Sequence, residues 1–210
     1  QVGGDATVLV PAYGSPFVRD LDGGRRYATI EDFRNFTKLN HLSPALHMSG
    51  GVVCEPMDIP VPKRHLYMTE SLLKYSSKPF MGAVTSMERA EDSLHMAGIV
   101  FGQEFVRNTT VMTCLANGNT PLVWDKTMLD SVRVFAGANQ ATLISPFVLG
   151  GASTPASTVG AVIQVNIEAL TGVAFSQLVR AGAPALYGQW LSTVSMKTGA
   201  PQAGTPEICH

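Results

Sequence analysis

The chain has 210 residues, of which 45% are hydrophobic and 15% are charged. Because soluble proteins usually carry about 25% charged residues and disordered chains are poor in hydrophobic residues, this composition excludes a disordered chain. The formal net charge of −1 also disfavours a nucleic-acid-binding protein, which would need a basic excess to neutralise phosphates.

Six short apolar runs predict the strands of the fold. Each run is nearly continuous in Val, Ile, Leu and other apolar residues, which is typical of parallel strands that are covered on both faces. In chain order they are residues 7–10, 51–54, 80–84, 110–115, 142–145 and 185–187.

Segments with helical periodicity separate these runs, and five helices are predicted from their starting residues. Four starts carry a residue that can cap a helix, and one carries a proline in the first turn. In chain order these residues are Thr29 with Asp32, Pro62, Ser86, Asp125, and Thr154 followed by Pro155, whose helix is expected to run to about Arg180.

The spacing of the strands predicts the fold class. From the second strand onward, the predicted strand centres lie 30 to 42 residues apart, and a right-handed βα unit takes about 30 residues. An α/β protein follows, either an open doubly wound sheet or a (β/α)8 TIM barrel. No GxGxxG or Walker pattern follows a strand, which favours the barrel over a nucleotide-binding sheet.

The barrel would be incomplete in this chain. Five to six βα units fit into 210 residues, whereas a full barrel usually takes about 250. We therefore expect residues 1–210 to form one partial TIM-barrel domain that belongs to a longer protein.

Aromatic residues at the predicted strand ends suggest a ligand site, because the active sites of barrels lie on the loops that follow the strands. Aromatic faces attract quaternary ammonium groups by about 0.5–2 kcal/mol per ring. Glu55 could add a counter-charge for such a cation or act as an acid–base group. The alternative for the aromatic residues is that they simply cover the rim of the barrel. The candidate substrate-binding residues in this set are Phe147, Tyr187, Gln189 and Trp190.

A glycine-rich turn precedes the fifth predicted helix and offers a second candidate site. Gly150 and Gly151 would let the backbone approach a ligand, and Ser153 and Thr154 would lie at the start of the helix. Free N–H groups at a helix start favour an anion such as a carboxylate. An ordinary βα turn is the alternative.

The cysteines and histidines do not predict a metal site. Cys54, Cys114 and Cys209 form no CxxC pair, and the histidines form no HxH or HExxH pattern. The Cys209–His210 pair and an approach of Cys54 to Cys114 are weaker possibilities. Reduced thiols in a cytoplasmic protein are expected. No apolar run reaches the ~18 residues of a membrane span, so we expect no membrane association.

Several motifs in the same order resemble the trimethylamine methyltransferase family, and together they cover almost the whole chain. They are PFVRDLDGGRR (16–26), GVVCEPMDIPVP (51–62), KPFMG (78–82), GGASTPA (150–156), GAVIQVNIEAL (160–170), RAGAPALYG (180–188) and MKTGAPQAGTPE (196–207).

The resemblance implies a (β/α)8 barrel that transfers a methyl group from a methylated amine, or from a quaternary amine of the betaine type, to a corrinoid (cobalamin). This cofactor is carried by a separate protein, so no tightly bound cofactor of the chain's own is expected. The resemblance also implies one-carbon metabolism, and methanogenesis in some members. Founding archaeal members carry pyrrolysine, which this sequence does not contain. A small methylated amine, the corrinoid protein and further copies of the chain are the expected partners, without nucleic acid.

Two other functions remain compatible with the residues. The barrel could bind methylated amines without turning them over, or it could be a metal-dependent hydrolase. Corrinoid-dependent demethylation would distinguish the first alternative, and metal analysis would distinguish the second.

Overall fold

The computed structural model describes residues 4–202. These residues form a mixed α/β structure that divides into two compact units. Of the described residues, the first unit contains 4–83 and 88–113, and the second contains 84–87 and 114–202.

A β-hairpin that the sequence analysis did not predict opens the first unit. Strand β1 (Phe17–Asp20) pairs antiparallel with β2 (Gly24–Tyr27). The rings of Phe17 and Tyr27 stack with their centroids 4.8 Å apart, and the Arg25 guanidinium lies 4.0 Å above the Phe17 ring. The hairpin therefore combines a stacked aromatic pair, in which Tyr27 is exposed, with one buried apolar side chain, Val18.

The first predicted helix and its cap are confirmed. Helix α1 (Ile30–Leu42) begins after Thr29, whose side chain accepts a hydrogen bond from the Asp32 N–H, while the Asp32 carboxylate accepts one from the Thr29 N–H. Arg26 on β2 donates to both oxygens of the same carboxylate at 2.6 and 2.8 Å. The Arg26 guanidinium, with help from Thr29, holds the pKa of Asp32 well below its usual range.

We expect Asp32→Asn to destabilise the protein at pH 7 by about 2 kcal/mol, because it removes a charge-assisted capping network. A carboxyl with a depressed pKa stabilises the fold above its unfolded-state pKa of about 3.9, and that stabilisation is lost as the pH falls toward the native value. The gap between variant and wild type should therefore shrink below about pH 4 in urea unfolding curves measured across pH. Glu31→Gln, which removes the same charge from an exposed ion pair one residue earlier, should cost well under ~1 kcal/mol and serves as the control.

Three further helices and a short parallel strand pair complete the first unit. The pairing of β3 with the start of β4 places Phe80 opposite Met112 and Met81 opposite Thr113. The predicted helix with a first-turn proline is confirmed, and a short helix follows Gly102, whose φ of 91° ends the preceding helix. The elements are α2 (Val61–Tyr75), β3 (Phe80–Met81), α3 (Met87–Phe101), α4 (Gln103–Asn108) and β4 (Met112–Ala116).

Two of the six predicted strands are wrong. Residues 7–10 are irregular, although the Leu9 N–H donates to His47 Nδ1 and the Leu9 carbonyl accepts from the His47 N–H. Residues 51–54 follow Gly50, whose φ of 77° lies in the left-handed region and breaks an extended run. Residues 51–54 are buried or half-buried outside any described strand, whereas Leu9 and Val10 are largely exposed, so an apolar run in this unit does not by itself indicate a strand.

The second unit is built on parallel strands with crossover helices. The last residues of β4 belong to the second unit. In its main sheet β5 lies beside β4, and β7 lies beside β5. Strands β6 and β8 pair in parallel, and β9 adds antiparallel to β8. The elements are α5 (Lys126–Gly137), β5 (Ala141–Ile144), β6 (Phe147–Gly150), α6 (Thr158–Val179), β7 (Ala185–Tyr187), β8 (Trp190–Val194) and β9 (Pro201–Gln202).

The core of this unit lies between the sheet and the two crossover helices. Asp125 caps α5 as predicted, since its carboxylate accepts the Met128 N–H at 2.9 Å. Completely buried side chains from both helices meet the strands, and Trp124 and Met128 pack against them. The buried residues of this cluster are Ala116, Val132, Ile144 and Ala169.

The predicted α/β class with parallel strands is confirmed at this level. Among the described residues, one sheet has the strand order β3-β4-β5-β7 and another has the order β6-β8-β9. The expectation that no segment is long and apolar enough for a membrane span is wrong by length and composition, because α6 has 22 residues and a window of mean hydropathy 1.4. In the structure α6 packs on β6 and β8 as a crossover helix.

Candidate functional site

Two parallel strand pairs that follow one another in the second unit carry four of the eight predicted substrate-binding residues, namely Phe147, Gly150, Tyr187 and Trp190. Strands β5 and β7 pair from Thr142↔Ala185 to Ile144↔Tyr187, and β6 and β8 pair from Phe147↔Trp190 onward with the same sequence offset. Pro146 has no N–H and interrupts the first strand, while its carbonyl accepts the Trp190 N–H at 2.9 Å. A second parallel ladder, β6 with β8, thus begins where the sequence analysis placed loops.

Phe147 and Trp190 form an exposed aromatic pair on one face of this ladder. Their neighbours Val148 and Leu191 are buried against α6, and successive side chains of a strand point to opposite faces. Phe147 and Trp190 therefore lie on the face away from α6, with ring centroids 6.3 Å apart. Within the described residues, Phe147 is 46% exposed and Trp190 is 60% exposed.

Tyr187 does not join this pair, in contrast to the predicted grouping. Its hydroxyl lies 3.1 Å from Asn166 Oδ1 on α6, so its ring is on the helix side of the ladder. Gln189 is engaged at the start of β8, where its Oε1 accepts the Leu191 N–H. Of the four candidates at these strand ends, the structure brings only two together as neighbouring rings.

The expected helix start at Thr154 is wrong. Helix α6 begins at Thr158, and Ser157 caps it by accepting the Gly160 N–H at 3.2 Å. Thr154 instead pairs with Gly150 in an isolated bridge.

The N–H groups of the glycine-rich turn are occupied by the turn itself. The Gly151 N–H donates to the Thr154 carbonyl, and the next three N–H groups, up to that of Thr154, donate to the Leu149 carbonyl at 2.9 to 3.2 Å. Ser153 Oγ accepts the Leu149 N–H. The turn therefore lacks the row of free donors at a helix start on which the predicted carboxylate site depended.

Glu55 lies in the first unit and is engaged in an ion pair. Its carboxylate is 3.3 Å from Arg64 Nη1, and the same guanidinium also donates to the Ile59 carbonyl. This arrangement fixes residues 55–64 against the start of α2.

A buried carboxylate that the sequence analysis missed lies in the second unit. Glu168 on α6 is 2% exposed, and it accepts hydrogen bonds from Thr120 Oγ1 at 2.7 Å and from the Leu122 N–H at 2.8 Å. Its backbone carbonyl accepts the Trp124 indole N–H at 3.3 Å. A signal was present in the sequence, because Glu168 is the only charged residue of a 22-residue helix.

These contacts place the loop of residues 117–124 at the carboxyl edge of the sheet. The Ala116 carbonyl at the end of β4 accepts the Ser145 N–H at 2.9 Å, so the loop leaves the sheet at the level of residue 145. Phe147 follows two residues later. The loop and the aromatic pair therefore belong to the same edge of the second unit.

Cys54 and Cys114, the two cysteines that lie in the described part of the chain, are buried. Desolvation raises the pKa of both the Cys54 and the Cys114 thiol to about 12. Within residues 4–202, no group of three His, Cys, Asp or Glu side chains is placed to hold a metal ion. The candidate pair Cys209–His210 lies outside the described residues.

Comparison with known proteins places this α/β chain in a family of methyltransferases. The model of the family described as trimethylamine methyltransferase (MTTB) matches residues 1–210. The chain therefore belongs to the trimethylamine methyltransferase family, as the motif resemblance implied.

Three curated relatives of the chain are named as methyltransferases for different quaternary amines. It is 41% identical to the glycine betaine methyltransferase of Desulfitobacterium hafniense (strain Y51) over 98% of the chain and 43% of the relative. It is 27% identical to the proline betaine:corrinoid methyltransferase of Eubacterium limosum over 94% of the chain and 42% of the relative. With the L-carnitine:corrinoid methyltransferase of the same organism it shares 26% identity over 99% of the chain and 45% of the relative. The chain thus spans less than half the length of these relatives.

Proposed function

We propose that the protein to which this chain belongs transfers a methyl group from a quaternary amine of the betaine type to a corrinoid carried by a separate protein. The observation that carries this proposal is the family match over the whole chain, together with 41% identity to a glycine betaine methyltransferase. A partial (β/α)8 barrel formed by residues 1–210, a cytoplasmic location and self-association are parts of the same proposal.

The Phe147–Trp190 pair is the proposed contact surface for the trimethylammonium group. Two rings 6.3 Å apart offer neighbouring π faces, and neither β6 nor β8 carries a charged residue that would compete for the cation. Attraction to each ring is worth about 0.5–2 kcal/mol. An apolar, aromatic face suits a methylated cation better than a protonated amine, since a protonated amine needs hydrogen-bond acceptors.

The proposed methyl transfer requires the protein mainly to bind and orient the substrate. A reduced corrinoid on the partner protein supplies the nucleophile for the methyl carbon. The C–N bond breaks with its electron pair remaining on nitrogen, so a quaternary amine departs as a neutral tertiary amine and needs no proton donor. The half-exposed pair on the free face of the ladder fits an approach by such a partner. Holding the C–N bond in line with the nucleophile is the task left to the protein.

The role proposed for the glycine-rich turn is limited to shaping the edge next to the aromatic pair. Gly150, Gly151, Ser153 and Thr154 use their backbone groups or side chains in the turn. Gln189 and Tyr187 are proposed to support β8 and the packing on α6. Glu55, held by Arg64, is not proposed to take part in proton transfer.

Methyl transfer by the full-length protein tests this proposal directly. The reduced corrinoid protein is mixed with the enzyme and with glycine betaine, proline betaine, carnitine or trimethylamine, and methylation of cobalt is followed by its absorbance. We expect a betaine to give faster methylation than trimethylamine. Binding of betaines by calorimetry without any methylation would instead support a non-catalytic binding protein, and neither binding nor methylation would rule out both functions.

A further inference from the structure

Helix α6 reverses the usual distribution of polar and apolar residues. Its one charged side chain, Glu168, is buried, while its solvent-facing side is mostly apolar, including Val159, Ile163, Leu170 and Leu178. A buried charge is costly unless it is fully hydrogen-bonded. The burial of Glu168 therefore depends on the hydrogen bonds that its carboxylate accepts.

The carboxylate is satisfied by three neutral donors. Oε2 accepts from the Thr120 hydroxyl, and Oε1 accepts from the Leu122 N–H and from Gln164 Nε2 at 3.0 Å. Within residues 4–202, no cationic side chain forms an ion pair with Glu168. Leu122 has a φ of 56°, in the left-handed region that a leucine rarely adopts, and its N–H bond to Glu168 helps to hold it there.

Gln164 extends this network to a second loop. Its Nε2 donates both to Glu168 and to the Ser153 carbonyl at 3.0 Å, so one amide group bridges α6 and the glycine-rich turn. Glu168 and Gln164 lie one helical turn apart. Together they connect residues 117–124 with residues 150–154, the two loops that flank the proposed edge of the site.

We propose that Glu168 is a positioning residue for methyl transfer: with Gln164 it fixes the loop of residues 117–124 and the glycine-rich turn in one arrangement beside the Phe147–Trp190 pair. This inference rests on the proposed function. Glu168 acts through the loops and contacts no reacting group, because its side chain is on the α6 side of the sheet and the aromatic pair is on the other side.

Two substitutions separate the geometry of Glu168 from its charge. In Glu168→Gln the remaining oxygen can still accept the Leu122 N–H and the Gln164 amide, and the new amide group can donate to the Thr120 hydroxyl after that hydroxyl rotates. Glu168→Ala removes every side-chain contact. A positioning role predicts that Gln largely replaces Glu and that Ala does not.

The test measures kcat and KM for the betaine, the unfolding temperature, and amide hydrogen exchange in the full-length protein. In Glu168→Ala we expect exchange to accelerate in both loops and kcat to fall about tenfold, because small errors in orientation are costly in transfer reactions. Glu168→Gln should keep wild-type exchange and stay within about twofold of the wild-type kcat. Thr120→Val, which removes a single bond and keeps the shape of the side chain, should fall between them and serves if the alanine variant does not fold.

Two results would overturn the inference. Wild-type kcat and KM in folded Glu168→Ala would show a purely structural role, and an equal loss in Glu168→Gln would show that the charge matters rather than the position. A wild-type protein that transfers no methyl group would reject the proposed function, and with it the positioning role of Glu168 in methyl transfer. The exchange data would still show whether Glu168 holds the two loops.

Discussion

Replacing Trp190 with alanine should raise the KM for the quaternary amine about tenfold, and replacing Phe147 as well should raise it further. Each ring contributes about 0.5–2 kcal/mol to cation binding, which corresponds to a factor of about 2 to 30 in affinity. The two rings are neighbours with centroids 6.3 Å apart, so their effects are expected to be coupled rather than independent. Steady-state kinetics of the full-length single and double variants would measure both effects.

Tyr187→Phe is the matched control for this experiment. Tyr187 lies only three residues before Trp190, but its hydroxyl bonds to Asn166 on the α6 side. Removing this hydroxyl should therefore leave the KM for the quaternary amine unchanged. Trp190→Phe, which keeps an aromatic face, should recover most of the affinity that the alanine variant loses.

A neutral isostere tests whether the contact is electrostatic. In 3,3-dimethylbutanoate a carbon replaces the nitrogen of glycine betaine, which preserves the shape and removes the positive charge. We expect this compound to inhibit weakly and Trp190→Ala to change its inhibition constant little. If the alanine variant weakened the isostere and the betaine equally, the aromatic pair would act by apolar contact alone, and a cation-binding role would be wrong.

The predictable part of the fold is the part specified by local contacts. Thr29 with Asp32 and Asp125 with Met128 are capping interactions within four residues, and both occur as the sequence predicts. The same type of pattern failed at Thr154 because Ser157 offers an equally good cap three residues later. Sequence alone does not show which of two adequate capping residues starts the helix. In the structure Thr154 is paired with Gly150, and Ser157 caps the helix instead.

The candidate site depended on contacts between distant residues and was predictable only in part. Pro146 and Gly188 look like the ends of strands, yet the ladder resumes after both because each strand has a partner with the same interruption at the same level. This strand pairing determines which side chains face α6. Tyr187 lies on the side of α6, and Trp190 lies on the opposite side. The aromatic residues could be selected from the sequence, but their grouping required the pairing register.

Glu168 shows a different limit. Its isolation in an apolar helix was visible in the sequence, but an isolated charge on a helix is normally solvated. Only the approach of Thr120 and Leu122, more than forty residues earlier in the chain, provides the donors that allow burial. A lone charge on an otherwise apolar helix is therefore a useful signal once a nearby loop with free donors is known.

We expect Gly14→Ala to destabilise the first unit by about 3 kcal/mol. A Cβ atom on Gly14 would lie 1.8 Å from the Val53 carbonyl oxygen and 2.7 Å from Cys54 Cα, and both are backbone atoms that no side-chain rotation can move. Relieving such overlap would separate the two segments and weaken the 2.7 Å hydrogen bond from the Gly14 N–H to the Val52 carbonyl. Urea unfolding of the full-length protein, followed by fluorescence and by circular dichroism, would measure the loss.

Gly137→Ala provides the comparison, because the nearest atom to a Cβ at that helical position is 3.9 Å away. It should be neutral or stabilising by up to about 1 kcal/mol, the gain expected for alanine over glycine in a helix. Equal stabilities of Gly14→Ala and wild type would mean that Gly14 does not pack this closely against residues 52–54. The same contacts bear on the failed strand prediction. The backbone of Gly14 packs against Val53 and Cys54, and the Met81 N–H of β3 donates to the Gly50 carbonyl just before the run. Residues 51–54 are therefore packed on both sides without forming a regular strand.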